Sequence, residues 1–231
     1  MRKLLFALLL PLLFLYGCNK QDSVTYTGLE AGTIENGVFV SDSYTRMNVV
    51  GNDGRFDINS SRRVLVSFRT HPMTDSDRID IDLLGLWEST SLVPVPAESL
   101  PDGPDGSPLE VSDAWFAAGY LNILASFSAK DESLHTLNAV YSASESAIVI
   151  RLRHDGSQDT ATGGDKVVEL FLCVPMYDPL VSYDQYAISA GKKQGSYPAP
   201  VFLQWTARTM EGGPLTLFER KGSYTPPVSG N

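Results

Sequence analysis

Beyond its first thirty residues this chain alternates apolar and polar residues in short runs, broken by Gly, Pro, Asn and Asp. Period-two alternation puts successive side chains on opposite faces of a strand and cannot make the stripe of a helix. Thr33 to Val40 spans an Asn36-Gly37 pair, the strongest short hairpin cue, because both positions accept positive φ. Tyr44 to Val50 runs into the turn Asn52-Asp53-Gly54. Val64, Val66 and Phe68 alternate with Leu65, Ser67 and Arg69, as do Ile79, Ile81 and Leu83 with Asp80 and Asp82. A last run, Leu92 to Val95, ends at prolines. Five short strands in a stretch this size suit a small barrel over residues 30–97.

Residues 98–107, rich in Pro, Gly and Asp, read as a linker, since Pro removes ladder donors and Gly relaxes the backbone. Alternation then resumes over 108–225. Candidate strands are Leu109–Trp115, Tyr120–Ser128, Leu134–Tyr141, Ala147–His154, Lys166–Val174, Val201–Arg208 and Leu215–Arg220. With no helix among them, these strands predict two packed antiparallel sheets. The fold class is therefore all-β: a small N-terminal OB-like barrel followed by a C-terminal antiparallel β-sandwich. Residues 226–231 form a Pro-Gly-Ser tail.

The N-terminus carries a different signal. Arg2 and Lys3 precede an apolar run, Leu4 to Tyr16, too short for a permanent span but suited to a secretory signal. Gly17-Cys18 at its end is the bacterial lipoprotein pattern, so residues 1–17 are expected to be cleaved and Cys18 to be lipidated. Residues 18–29 then tether the lipid to the first strand. Cleavage removes two positive charges, moving the formal charge from −9 to −11. Acidity argues against nucleic acid and against an anionic membrane face, both of which need clustered Lys and Arg. Residues 24–96 hold six Arg, no Lys and ten Asp plus Glu, which also sets this barrel apart from the basic grooves of nucleic-acid-binding OB folds. With Cys18 acylated, Cys173 has no partner in the chain and reads as a small hydrophobe within a strand.

Several motifs resemble NigD-like lipoproteins. They are Leu109-Glu110-Val111-Ser112-Asp113-Ala114-Trp115 with Gly119-Tyr120-Leu121-Asn122, Leu134-His135-Thr136-Leu137-Asn138, and Ile150-Arg151-Leu152-Arg153-His154. Arg63-Val64-Leu65-Val66-Ser67-Phe68 and Ile79-Asp80-Ile81-Asp82-Leu83-Leu84 extend the similarity through the N-terminal block. The resemblance implies an OB-like barrel and a β-sandwich in an outer-membrane lipoprotein of Gram-negative bacteria. It also implies a bacteriocin-immunity role, the one suggested for the family, and brings no established catalytic residues. Many relatives carry a run of acids after the lipid Cys. Here Asn19-Lys20-Gln21-Asp22-Ser23 has a single acid, leaving periplasmic and surface faces both open.

Neither a catalytic nor a metal constellation is expected, and no cofactor. Asp75, Asp77, Asp80 and Asp82 invite a calcium reading, but Ile79 breaks the alternate-ligand register and the acids read as solvated. Asp155-Gly156-Ser157-Gln158-Asp159 starts like such a loop, yet Thr160 and Lys166 stand where Gly and Glu are needed. His71, His135 and His154 lack zinc spacing, and no Gly-x-Ser-x-Gly elbow is present. The stretch Met176–Pro200 reads as a long loop carrying Tyr177, Tyr183, Tyr186 and Tyr197. Tyrosines offer large contact area at low entropic cost, so these are the candidate contacts for a protein or glycan partner; the other reading is a loop that folds back over a sandwich edge with its tyrosines half buried. The sequence predicts a non-enzymatic binding protein of the cell envelope, anchored to the membrane by lipid, with bacteriocin immunity or an envelope-assembly role as the alternative and a hydrolase with a scattered active site as the third reading.

Overall fold

The computed structural model describes residues 25–72, 78–100, 107–160, 165–193, 195, 198–209 and 213–226. The signal peptide, Cys18, Tyr197, Asp75 and Asp77, the centre of the expected linker and the end of the tail lie outside them. Among the described residues no helix is long and apolar enough to cross a membrane.

β1 (Thr27–Glu35) turns into β2 (Val38–Ser41) through Asn36 and Gly37, both at positive φ (50° and 76°), the conformation that a two-residue hairpin turn requires. β3 (Arg46–Gly51), β4 (Arg62–Thr70) and β5 (Ile79–Ser91) follow. β2 pairs β1 and β3, β1 pairs β4, β4 pairs β5, and β5 returns to pair β3. The five strands thus form a closed ring of ladders, in the pairing order of an OB-like barrel. Its interior holds Ile34, Phe39, Val64, Val66, Phe68 and Ile81, all buried, which are the inward positions of the alternation.

The run expected as the fifth barrel strand belongs elsewhere. Leu92 is buried in the core of the second block, and β6 (Val95–Pro96) pairs the strand Thr136–Ala143. The fifth strand of the ring comes instead from Thr33–Val40, read as one run but split by its own turn, while β5 continues to Ser91. All seven strands expected in the second block are present: β7 (Glu110–Ala117), β8 (Tyr120–Ala129), β9 (Thr136–Ala143), β10 (Ile148–Asp155), β11 (Lys166–Pro175), β12 (Ala199–Arg208) and β13 (Leu215–Tyr224). They form two facing sheets. One runs β13-β12-β10-β9-β6; the other, β11-β8-β7, is joined edge to edge with β5, giving one eight-stranded sheet through both modules. The sandwich is mixed rather than purely antiparallel, since β10 and β12 run parallel, as do β6 and β9.

Where a loop was expected, α1 spans Tyr177–Ser189. Met176, Leu180, Tyr183 and Ala187 are buried at helical spacing and seal the sandwich core. Pro179 lies in the first turn, where a backbone donor is not needed, and Asp178 favours the same end of the dipole. The helix stops at Gly191 (φ +80°): Gly191 donates to the Ile188 carbonyl and Lys192 to that of Ala187, a Schellman closure. Period-two neighbours and the Pro and Gly content hid this helix.

Candidate functional site

The ring rests against the outer face of the β11-β8-β7 sheet. Along β8 and β11 the residues facing the sandwich core, such as Ile123 and Leu172, alternate with those facing the ring, Asn122, Leu124, Phe171 and Cys173. Ala31 and Leu65 of the ring complete this small interface core, and Trp115 stacks on Phe171 with ring centroids 6.2 Å apart.

One end of the interface is bolted. Arg63, on the outer face of β4, forms a bidentate pair with Asp42 (2.8 and 2.6 Å) and donates to Asn122 Oδ1 at 2.7 Å. Its Nε reaches Cys173 Sγ at 3.2 Å, and the guanidinium lies 4.3 Å from the Tyr120 ring centroid. Burial works against the charge on Arg63, but the Asp42 carboxylate outweighs it and holds the guanidinium above its ordinary value. Burial likewise pushes the Cys173 thiol up, with Arg63 pulling the other way. A buried neutral thiol is a poor nucleophile.

The other end is splayed. β11 runs parallel to β5 only over Phe171–Cys173, against Ser89–Ser91. Before that point the strands diverge. Among the described residues no strand pairs the β5-facing edge of Val167–Leu170, nor the β11-facing edge of Leu84–Glu88. In the fork lies a cleft of about 310 Å³ lined by Leu29, Leu65, Trp87, Leu124 and Phe171, with Glu169 at its mouth. A β-bulge places the tryptophan there. Ile81 and Leu83 point into the ring, and unbroken alternation would send Trp87 inward too. The register shift between Ser67 and Phe68 inserts one residue on β5, so Leu86 turns in and Trp87 turns out, opposite Leu65. Gly85 makes room: a Cβ there would stand 2.7 Å from the indole. Trp87 and Leu29 remain 41% and 53% exposed.

A second polar cluster sits at one end of the sandwich. His154 Nδ1 donates to the Pro108 carbonyl (2.9 Å), which can only accept, so His154 Nε2 accepts from His135 Nδ1 at 2.8 Å. His135 Nε2 meets Asp159 Oδ2 at 3.1 Å, an oxygen that also accepts from the backbone of Lys130. Phe127 packs on both imidazoles. Burial, opposed by the Pro108 carbonyl and reinforced by His135, lowers the His154 pKa. Both of its nitrogens are engaged, so this arrangement ties Pro108, β9 and the loop after β10 together and leaves no ring nitrogen for a substrate.

The residues singled out in the sequence disperse. Tyr183 is core, 3% exposed, whereas Tyr177 and Tyr186 stand out from α1 at 75% and 54%. Asp80 is held by Arg78 (2.8 Å) and Asp82 by His71 (2.8 Å). Asp155 accepts from the Ser157 amide (2.9 Å), an ordinary loop closure. Among the described residues no group of three His, Cys, Asp or Glu side chains gathers as a metal site. Sequence reasoning missed the cleft; its available signal was Gly85 within a strand, a mark of bulges and close approaches.

No family model matches the sequence, and no curated protein does. Solved structures do. A NigD-like immunity protein from Bacteroides caccae ATCC 43185 superposes with a TM-score of 0.58 at 19% identity, covering 87% of this chain and 97% of its own. A protein of unknown function from Bacteroides vulgatus ATCC 8482 gives 0.57 at 13% identity, over 89% of this chain and 93% of its own. A candidate lipoprotein from Bacteroides fragilis NCTC 9343 gives 0.53 at 12%, over 85% and 97%. The chain therefore has the fold of the NigD-like protein, the likeness its sequence motifs suggested.

Proposed function

We propose that this chain is a non-enzymatic lipoprotein of the bacterial outer membrane, held by Cys18, that binds a protein partner in the cleft between its two modules. The observation that carries the reading is the contrast in accessibility. Of the groups able to do chemistry, His135, His154 and Cys173 are internal and engaged with each other or with Arg63, and His71 is paired with Asp82 at the surface, while the apolar surface at Leu29 and Trp87 faces solvent in a recess. Concave apolar sites with a few polar groups are where partners and ligands bind. The shared fold with an immunity protein and a candidate lipoprotein favours an envelope role, including immunity toward a protein toxin. On this reading the tyrosines of α1 are secondary: Tyr183 supports the fold, and Tyr177 and Tyr186 lie on another element.

Two measurements test it. Cys18→Ser should move the protein from the membrane fraction to the soluble one; unchanged membrane retention would sink the anchor. A photo-crosslinking amino acid at Leu29, in the native host, should give a discrete adduct that the same group at the exposed Tyr44 does not. Adducts at Tyr44 alone, or none at Leu29, would remove the cleft from the reading.

A further inference from the structure

Resting on the cleft reading above, we infer that the occupant is an extended segment of the partner protein, carrying a basic and an apolar residue two positions apart, which adds as a strand to the open edge of β11. Three observations converge on that chemistry.

The first is the backbone. Over Val167–Leu170, β11 is paired by β8 on one side and by no strand on the other, among the described residues. An unpaired edge presents alternate amides and carbonyls to whatever lies beside it, which selects an extended chain over a helix or a compact ligand. Four edge residues at roughly 3.3 Å each accommodate a segment of about the same length. Edge strands of this kind are normally covered or blunted, and the cleft lies along this one.

The second is the lining. An added strand turns alternate side chains toward the ring, the face that β11 already gives to Glu169 and Phe171. On that face the cleft offers Trp87, Leu29 and Leu65 as an apolar seat. A leucine-sized side chain fits this surface; its neighbour on the opposite face meets the side toward the sandwich.

The third is charge. Glu169 is the ionisable side chain of the cleft lining and stands exposed at its mouth, on a chain of formal charge −9. Continued from Phe171 opposite Ser89, the parallel register sets Glu169 level with Trp87 and Val167 level with Gly85, whose ladder neighbours across β4 lead to Leu29. On the ring-facing side of an added strand, the residue beside Glu169 is therefore two positions from the one facing Leu29. A Lys or Arg there complements the carboxylate, as opposite charges across a ladder do.

The probe is a capped Thr-Lys-Thr-Leu-Thr peptide bearing a fluorophore, titrated against the mature protein by anisotropy. The expected result is saturable binding that weakens at least tenfold when Lys is replaced by Glu, and recovers for that Glu peptide with Glu169→Lys. Strand addition has a further signature. N-methylation of one alternate set of peptide amides should abolish binding, while methylation of the other set should leave it within about threefold, because alternate amides face the edge. Slowed hydrogen exchange at alternate amides within Val167–Leu170 should accompany binding. Absence of binding, equal loss from both methylated sets, or undiminished binding to Trp87→Ala overturns the inference. If the peptide fails but the Leu29 crosslink persists, the cleft binds its partner in another geometry. If both fail, the functional reading falls with it.

Discussion

The two ends of the interface between ring and sandwich are built from the same strands and behave oppositely. At the bolted end Arg63 and Asp42, with side chains 13% and 11% exposed, exchange two hydrogen bonds and reach Asn122 across the junction. At the splayed end, Trp87 and Leu29 stay wet although an apolar wall lies beside them. Both ends could have been closed by the same means, since β5 and β11 already pair at Ser89–Ser91. The difference teaches that at one end the modules are fixed by a single side chain, Arg63, which Asp42 holds in place within the ring and which reaches Asn122, Cys173 and Tyr120 of the sandwich, so that the other end can hold an open recess without the whole joint loosening.

The largest effect should come from unfastening the bolt. Arg63→Ala leaves the Asp42 carboxylate, whose side chain is 11% exposed, without its cation, and breaking one side of a buried pair costs about 3–5 kcal/mol. Urea denaturation monitored by tryptophan fluorescence reads this directly. The paired replacement Arg63→Met with Asp42→Leu removes both charges and should recover more than half of the loss. If the double variant is as unstable as the single one, the loss comes from the contacts of Arg63 with Asn122, Cys173 and Tyr120 and not from the stranded carboxylate.

Acid sharpens the contrast in a different place. His154 is disfavoured as a cation by its burial, so its folded pKa lies below the ordinary 6.5. Above 6.5 the ring is neutral in both folded and unfolded chains, and this stabilising contribution is complete. As pH falls through 6.5 the unfolded ring takes up a proton that the native one refuses, so stability drops until the native pKa is reached. Arg63, held above its ordinary value, stays charged throughout. The denaturation midpoint should therefore fall between pH 7.5 and 5.5, and His154→Phe should flatten that dependence while Arg63→Ala leaves its slope intact. An unchanged slope in His154→Phe would assign the acid sensitivity elsewhere.

Much of this molecule is legible in its sequence, for identifiable reasons. Asn36-Gly37 predicts its hairpin because the turn is a local backbone requirement, and Ile148, Ile150 and Leu152 predict a buried face because the pleat has a fixed period. What escaped depends on non-local facts. Leu92–Val95 has the same local pattern as a barrel strand, and only pairing with β9 decides which module receives it. The helical spacing of Met176, Leu180, Tyr183 and Ala187 is in the sequence, but the period-two runs on either side and the Pro and Gly content mask it. The cleft was least legible of all. It exists because β5 and β11 meet for three residues and then part, a matter of register between segments eighty residues apart. The neighbours of Cys173 predict a small hydrophobe, and it is buried, but its contact with Arg63 has no trace in the local pattern.

The smallest stability effect is expected at the splayed end, where it is also the most informative. Gly85 adopts no left-handed φ, so alanine is compatible with its backbone and stiffens the unfolded chain, worth about 0.4–1 kcal/mol. Against that, the new Cβ would press on the Trp87 ring at 2.7 Å. The indole is partly exposed and can swing away, so the two effects nearly cancel and Gly85→Ala should alter global stability by no more than about 0.5 kcal/mol, as surface substitutions do. The recess should nevertheless change, because the swung ring no longer seats the apolar side chain of the probe peptide. A shifted emission maximum, absent when Trp87 is replaced by Phe, together with peptide affinity reduced at least fivefold, would show that the splayed end tolerates change in stability while depending on the position of one ring. A loss of stability comparable to that of Arg63→Ala would instead make Trp87 a structural member of the joint, and the two ends would no longer differ in kind.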